Sequence, residues 1–322
     1  MSMLVIGESL IDVFYDSTDE VCARQPGGSP LNVAIGLSRL GRDVSLLTRV
    51  GNDADGKIIL DYCGKENVKL LEGSITTAPT SLAHAHFAAD LSAIYSFDIH
   101  SDYPHPPTDE TQRAALLAKA PRLIHFGSIG AHLAPGSETL KEWLAFYKRT
   151  STISYDPNVR LDLCGPEEHL RSQIEDFIPY IDIFKSSYED LTAVYGNVPA
   201  TQLAQKFLAA GVKICVITYG PDGLEIFTKR HQVRMPAIQV DVVDTVGAGD
   251  SLMSALIDGL ARMSVLGPED ENGLANIPRG MLVSLGAFAA TAASITVCRR
   301  GANPPTRKEV AAQSELYSVG AL

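Results

Sequence analysis

Six short, mainly apolar runs recur along the chain, at Met3–Ile6, Val44–Thr48, Leu123–Phe126, Thr152–Tyr155, Ile181–Lys185 and Ile214–Thr218. Strands of this kind, without strict alternation of polar and apolar positions, need cover on both faces. Helical spacing at Pro30–Leu40, Asp55–Asn67, Glu138–Arg149, Glu167–Tyr180 and Thr201–Ala210 supplies that cover. The pattern predicts an α/β fold: a mostly parallel sheet with helices on both faces.

Two stretches break the rhythm. Asp12–Pro26 reads as polar and irregular after the first strand, and Thr80–Ile99 alternates apolar and polar residues in the manner of a hairpin. Together they predict a small β-sheet lid built from about 13–26 and 80–102, on a single domain spanning 1–322. An edge hairpin or dimer contact is the competing reading. Ser101–Asp109, with three prolines, returns the chain to the main body. Met281–Val297 reads as a buried helix rather than a membrane span, and the acidic Gly267–Ile277 loop is assigned no function.

A net charge of −11 with no Lys/Arg cluster disfavours nucleic acid as a partner, while leaving room for a small anion in a local site. The five cysteines are widely spaced and form no Cys-x-x-Cys pair, so neither a disulfide framework nor a zinc site is expected. The first residues carry no basic, signal-like segment. A cytoplasmic protein without a membrane partner is the expectation.

The segment Asp244–Asp250 (Asp-Thr-Val-Gly-Ala-Gly-Asp) runs directly into a helical pattern. The backbone N–H groups of Gly247, Ala248 and Gly249 can converge there on an anion at a helix N-terminus. An acid beside an anion site repels the anion unless its work is to take a proton from the attacking group, which makes Asp250 the candidate general base. Asp250 also suits a helix first turn for dipole reasons alone. Leu252 stands where a dinucleotide fingerprint needs its third glycine, and no P-loop sequence occurs.

A second glycine motif, Pro26-Gly27-Gly28-Ser29-Pro30-Leu31-Asn32, opens the first helix. Gly27 and Gly28 allow close approach of a ligand, Asn32 offers donors and an acceptor to neighbouring hydroxyls, and Asp12 is placed at the end of the first strand as a carboxylate acceptor.

The two motifs, in this order and at this separation, resemble the paired signatures of the ribokinase-like, or PfkB, carbohydrate kinases. The likeness covers essentially the whole chain. It implies an ATP-dependent sugar kinase, with Asp250 deprotonating the sugar hydroxyl and Gly247, Ala248 and Gly249 forming the anion hole. Asp12, Gly27, Gly28 and Asn32 match sugar-binding positions. Lys185 and Ser187, with Thr218, Gly220 and Gly223, match the ATP side. Asp244 matches a monovalent-cation (K+) ligand, with main-chain groups at Val246, Thr296 and Gly301 beside it.

Family members commonly carry Asn-x-x-Glu where this chain reads Ser187-Tyr188-Glu189-Asp190. Either Asp190 or, with a shift of one residue, Glu189 takes the acidic role of organising Mg2+ and its water shell; a helix cap at Ser187 explains the same letters. Asp156-Pro157-Asn158-Val159-Arg160 resembles a segment of fructokinases and of 2-keto-3-deoxygluconate kinases, in which Arg160 would meet sugar hydroxyls or an acid sugar's carboxylate. Gly7–Asp12 and the Gly-Gly-Ser-Pro form look most like bacterial fructokinases. The expected partners are a ketohexose, ATP and, through the lid edge, a second copy of the chain. A 2-keto-3-deoxygluconate kinase and a catalytically silent sugar- or nucleotide-binding regulator are the alternatives. His84, His86 and His125 suggest no metal site, and Trp143 reads as core.

Overall fold

The computed structural model describes residues 2–16, 18–87, 93–268 and 273–319. Parts of the second lid stretch (88–92) and of the acidic loop (269–272) lie outside the described residues. Strands are β1 Ser2–Ile6, β2 Leu10–Tyr15, β3 Val21–Gly27, β4 Asp43–Leu47, β5 Val50–Gly51, β6 Lys69–Leu70, β7 Ile75–Thr76, β8 Ser81–Phe87, β9 Ala93–Asp98, β10 Leu123–Gly127, β11 Thr152–Asp156, β12 Ile183–Ser187, β13 Ile214–Thr218, β14 Leu224–Phe227 and β15 Gln232–Met235. The helices are α1 Ser29–Arg39, α2 Ala54–Lys65, α3 Glu110–Ala118, α4 Ser128–His132, α5 Gly136–Tyr147, α6 Leu161–Cys164, α7 Glu167–Phe177, α8 Tyr188–Tyr195, α9 Ala200–Ala209, α10 Ala248–Arg262, α11 Arg279–Val297 and α12 Arg307–Val319.

Nine strands form one sheet in the order β15-β14-β13-β12-β11-β10-β1-β4-β6, parallel except for the β13-β14-β15 edge. Each predicted apolar run is one of its strands. Side-chain alternation explains why those runs are apolar throughout: Met3 and Val5 face one core cluster with α1, α10 and α11, while Leu4 and Ile6 face the other with α5, α7 and α9. Strand order reverses at β1, which lies between β10 and β4, so a crevice opens beyond its C-terminal end.

The irregular stretch expected over Asp12–Pro26 is mostly strand. β2 and β3 pair antiparallel, β2 pairs parallel with β8, and β8 pairs antiparallel with β9, making a separate sheet in the order β3-β2-β8-β9. Asp12 therefore sits within the second strand, in the small sheet, and not at the end of β1. The polar letters misled because a sheet with only one covered face needs few apolar residues. Polar pairs brace it: Tyr15 Oη lies 2.8 Å from His84 Nδ1, and the His86 ring stacks on Tyr15 with centroids 4.0 Å apart. His84 and His86 thus contact strand neighbours. Trp143 is core, its Nε1 donating to the Pro104 carbonyl at 2.7 Å.

α11 is long and apolar enough by composition to cross a bilayer, but it packs against α10, α12 and the β14-β15 hairpin with half of its apolar window buried. α1 and α10 cross closely at Gly36, where a Cβ would lie 2.4 Å from Ser254 Oγ. Gly36 and Ser254 each stand one helical turn beyond a candidate site residue, Asn32 and Asp250. Gly36→Val is expected to lower stability by about 1–3 kcal/mol through overpacking, read as a shifted urea midpoint with an unchanged slope.

Candidate active site

Asp250 lies in the first turn of α10 and is 8% exposed. Its carboxylate is gripped from α1: Ser29 Oγ donates to Oδ1 at 2.6 Å and Asn32 Nδ2 donates to Oδ2 at 2.8 Å. The two glycine motifs, more than two hundred residues apart, thus meet on one side chain. Burial pushes the Asp250 carboxyl above the ordinary carboxylate range, while the Ser29 and Asn32 donors and the Lys185 charge pull back against it. An acid tuned in this direction approaches the proton affinity that a general base needs near neutrality.

Gly247 caps α10 with φ 76°, in the left-handed region, and a Cβ there would lie 2.6 Å from that of Ala302. Glycine is required on both counts. The Ala248 N–H, expected to face an anion, instead donates to the Thr245 carbonyl at 3.2 Å, closing the turn. Among the described residues, the Gly247, Gly249 and Asp250 amides have no main-chain acceptor, so two of the three amides predicted to meet an anion are left open for one and the Asp250 amide is open beside them. Lys185 Nζ reinforces them, 3.0 Å from where a Gly249 Cβ would stand.

Lys185, 5% exposed on β12, donates to Asp156 Oδ2 at 2.5 Å. Ser187 caps α8 and accepts from the Asp190 N–H at 2.9 Å, so the helix-cap reading of these letters is realised. Asp190 is half-buried and its charge acts on Lys185, whereas Glu189 is exposed. Burial and the Asp156 charge raise the Asp190 carboxyl, against pulls from the Ser187 hydroxyl, Lys185 and Arg160.

On the lid side, Asp12 is half-buried over Gly27: a Cβ on Gly27 would lie 2.1 Å from Asp12 Oδ2. Burial lifts the Asp12 carboxyl to about 6. Gly28 turns the chain into α1 with φ 107°, and a Cβ there would lie 2.7 Å from the Glu8 carbonyl oxygen. Arg160 follows β11 with an exposed guanidinium whose Nη1 donates to the Val159 carbonyl at 2.8 Å.

Thr218 ends β13 half-buried and Gly220 is exposed in the turn after it, with φ 56°. Packing requires a glycine at Gly223, because a Cβ there would lie 2.0 Å from the Met235 carbonyl oxygen across the hairpin. Asp244, Val246 and Gly301 converge: Asp244 accepts from the Val246 N–H at 3.0 Å and from the Gly301 N–H at 2.8 Å. Thr296 comes next to this loop through Val297, whose carbonyl accepts from the Asp244 N–H at 3.2 Å, while the Thr296 carbonyl accepts from the Arg299 N–H and its hydroxyl lies 2.7 Å from Ser251 Oγ.

The description "pfkB family carbohydrate kinase" fits residues 2–309 of this chain. The chain belongs to the PfkB family of carbohydrate kinases. A fructokinase from Rhizobium leguminosarum bv. trifolii is 32% identical over 294 residues, covering 86% of both chains. The kinase also resembles the crystal structure of an uncharacterized sugar kinase from Pyrococcus horikoshii in complex with ATP, at TM-score 0.73 and 29% identity over 95% of this chain and 96% of that one. A fructokinase from Xylella fastidiosa, solved with bound ATP, superposes at TM-score 0.83 with 22% identity, over 98% of this chain and 99% of that one. That match shows the ribokinase-like fold.

Sequence reasoning missed Ser29 as a partner of Asp250 and Asp156 as a partner of Lys185. The signal for Ser29 was present: a hydroxyl one turn before Asn32 on the same helix face. Removing the Ser29 hydroxyl takes away a donor that lowers the Asp250 pKa. Ser29→Ala is therefore expected to move the acid-side limb of the kinase's kcat/KM profile to higher pH; a limb that stays in place or moves to lower pH would contradict this arrangement.

Proposed function

We propose that this kinase transfers the γ-phosphoryl group of ATP to a hydroxyl of a ketohexose, fructose in the first place. The observation that carries the reading is the Asp250 carboxylate, held by Ser29 and Asn32 beside the Gly249 amide and the Lys185 ammonium. A sugar hydroxyl lying between Asp12 and Asp250 gives its proton to Asp250 as the oxygen attacks the phosphorus in line. The Gly249 and Asp250 amides and Lys185 meet the charge that develops on the phosphoryl oxygens. Asp12 and Asn32 orient the sugar, and the small sheet excludes water from it.

The donor set suits magnesium, since Asp190 brings a half-buried carboxylate to the same cluster and hard oxygen ligands with retained water are what this ion prefers. Bound there with the ATP phosphates, it would supply charge neutralisation. At the Asp244 loop a potassium ion would order the turn that carries the anion hole. Beside α11, a cavity of about 950 Å³ lined by Met235, Pro236, Ile238, Phe288 and Thr291 has the size and apolar character to take the nucleotide base.

The exposed β3 edge, with Val21 47% exposed, is where a second copy of the chain would add to the lid. All five cysteines are free, in keeping with a reducing cytoplasm. Arg160 favours the second reading, an acid-sugar substrate, because its exposed guanidinium can grip a carboxylate in a bidentate manner.

Asp250→Asn is expected to reduce kcat by ~10²–10⁴ in a coupled ADP-release assay while calorimetric sugar binding persists; near-normal turnover would remove Asp250 as the base. Turnover of fructose compared with 2-keto-3-deoxygluconate decides the substrate, and preference for the acid sugar would replace fructose. Because Asp12 titrates at about 6, the KM for the sugar is expected to rise as pH falls through that value and to be flat above it. A KM that does not change across that range would remove Asp12 from sugar binding.

A further inference from the structure

We infer that Asp156 is a positioning residue for phosphoryl transfer: it fixes the Lys185 ammonium against Gly249, so that the cation's remaining N–H bonds face the transferred phosphoryl group and not Asp250. The inference rests on the assignment of Lys185 to the phosphate side of the site.

Asp156 ends β11 and Lys185 lies on the neighbouring strand β12. Ladder pairing runs Ser154 with Ile183 and Tyr155 with Phe184, so Asp156 and Lys185 occupy the next step, on the same side of the sheet. Both are buried, at 3% and 5% exposure, and the 2.5 Å bond between them is the only hydrogen bond Lys185 Nζ makes to a side chain among the described residues. An ammonium carries three donors, so two remain for a ligand. They are held beside the Gly249 backbone, where the helix N-terminus already favours an anion.

Three carboxylates surround this cation: Asp156 from β11, Asp190 from α8 and Asp250 from α10. On β10 beneath, His125 is held near 3 by burial and the Lys185 charge, and stays neutral. Arg160 lies within electrostatic reach of Asp190. Burial pulls the Lys185 ammonium down; the Asp156 carboxylate, helped by Asp250 and Asp190, more than offsets that and raises it above the ordinary lysine value. Without Asp156, the carboxylate with the largest remaining pull on the ammonium is Asp250, and an ion pair there would lower the proton affinity of the base. Asp156 thereby keeps the cation charged and the base free at once.

The test compares Asp156→Asn, Lys185→Met and the double variant, measuring kcat, both KM values and the pH profile. Asp156→Asn is expected to lower kcat on the order of 10²-fold, the scale of misplacing a reacting group by about 1 Å, to leave the KM for the sugar unchanged, and to move the alkaline limb to lower pH as Lys185 loses its proton more readily. In the Lys185→Met background, adding Asp156→Asn is expected to cost nothing more. In Lys185→Met the buried Asp156 carboxyl can take up a proton and stay neutral, and the double variant removes both charges, so the comparison of these two stands even if Asp156→Asn alone does not fold. Unchanged kcat and pH profile in Asp156→Asn, or a further loss in the double variant, would overturn the inference. Normal kcat and ATP KM in Lys185→Met would instead overturn the phosphate assignment of Lys185.

Discussion

The contact between α1 and the Asp250 carboxylate is the constraint around which the rest of the structure is arranged. Two hydrogen bonds at 2.6 and 2.8 Å place a buried acid at the start of α10, and charged-group hydrogen bonds of this kind contribute roughly 1.5–3 kcal/mol each. The close crossing at Gly36 and Ser254 gives that geometry a rigid base. Packing one turn away therefore sets where the Asp250 carboxylate stands, and the first amides of α10 are fixed by the same crossing.

Around this contact the charges are unevenly matched. One buried ammonium faces three carboxylates, and hydroxyl and amide donors from the protein share the load. Each of these acids differs in its partner: Asp156 takes the ammonium directly, Asp190 is capped by Ser187, and Asp250 is held by Ser29 and Asn32. Three like residues thereby acquire three distinct environments within one site.

Much of this was legible in the sequence. Strands buried on both faces announce themselves as apolar runs, and all six expected here are strands of the main sheet. The pairing of the two glycine motifs likewise foretold that α1 and α10 meet. The lid region was placed, but its strands β2 and β3 were not legible as strands, because a small sheet braced by Tyr15, His84 and His86 carries polar letters that also spell a loop. Nor could spacing show that Gly223 yields to the Met235 carbonyl, that Ala248 closes a turn, or that Asp156 faces Lys185. Each of these depends on which strands and turns become neighbours, and sequence separation hides that. The uncertainty between Glu189 and Asp190 narrows for the same reason: one turn of α8 points the first outward and the second toward Lys185.

Gly28 alone separates the last residue of β3 from the first residue of α1. With Gly27 pressed against Asp12 on one side and Ser29 bonded to Asp250 on the other, this glycine is a one-residue joint between the small sheet and the Asp250 carboxylate. A tilt of the small sheet is either absorbed at Gly28 or passed on to Ser29, so this one residue sets how independently the two halves of the proposed site can move.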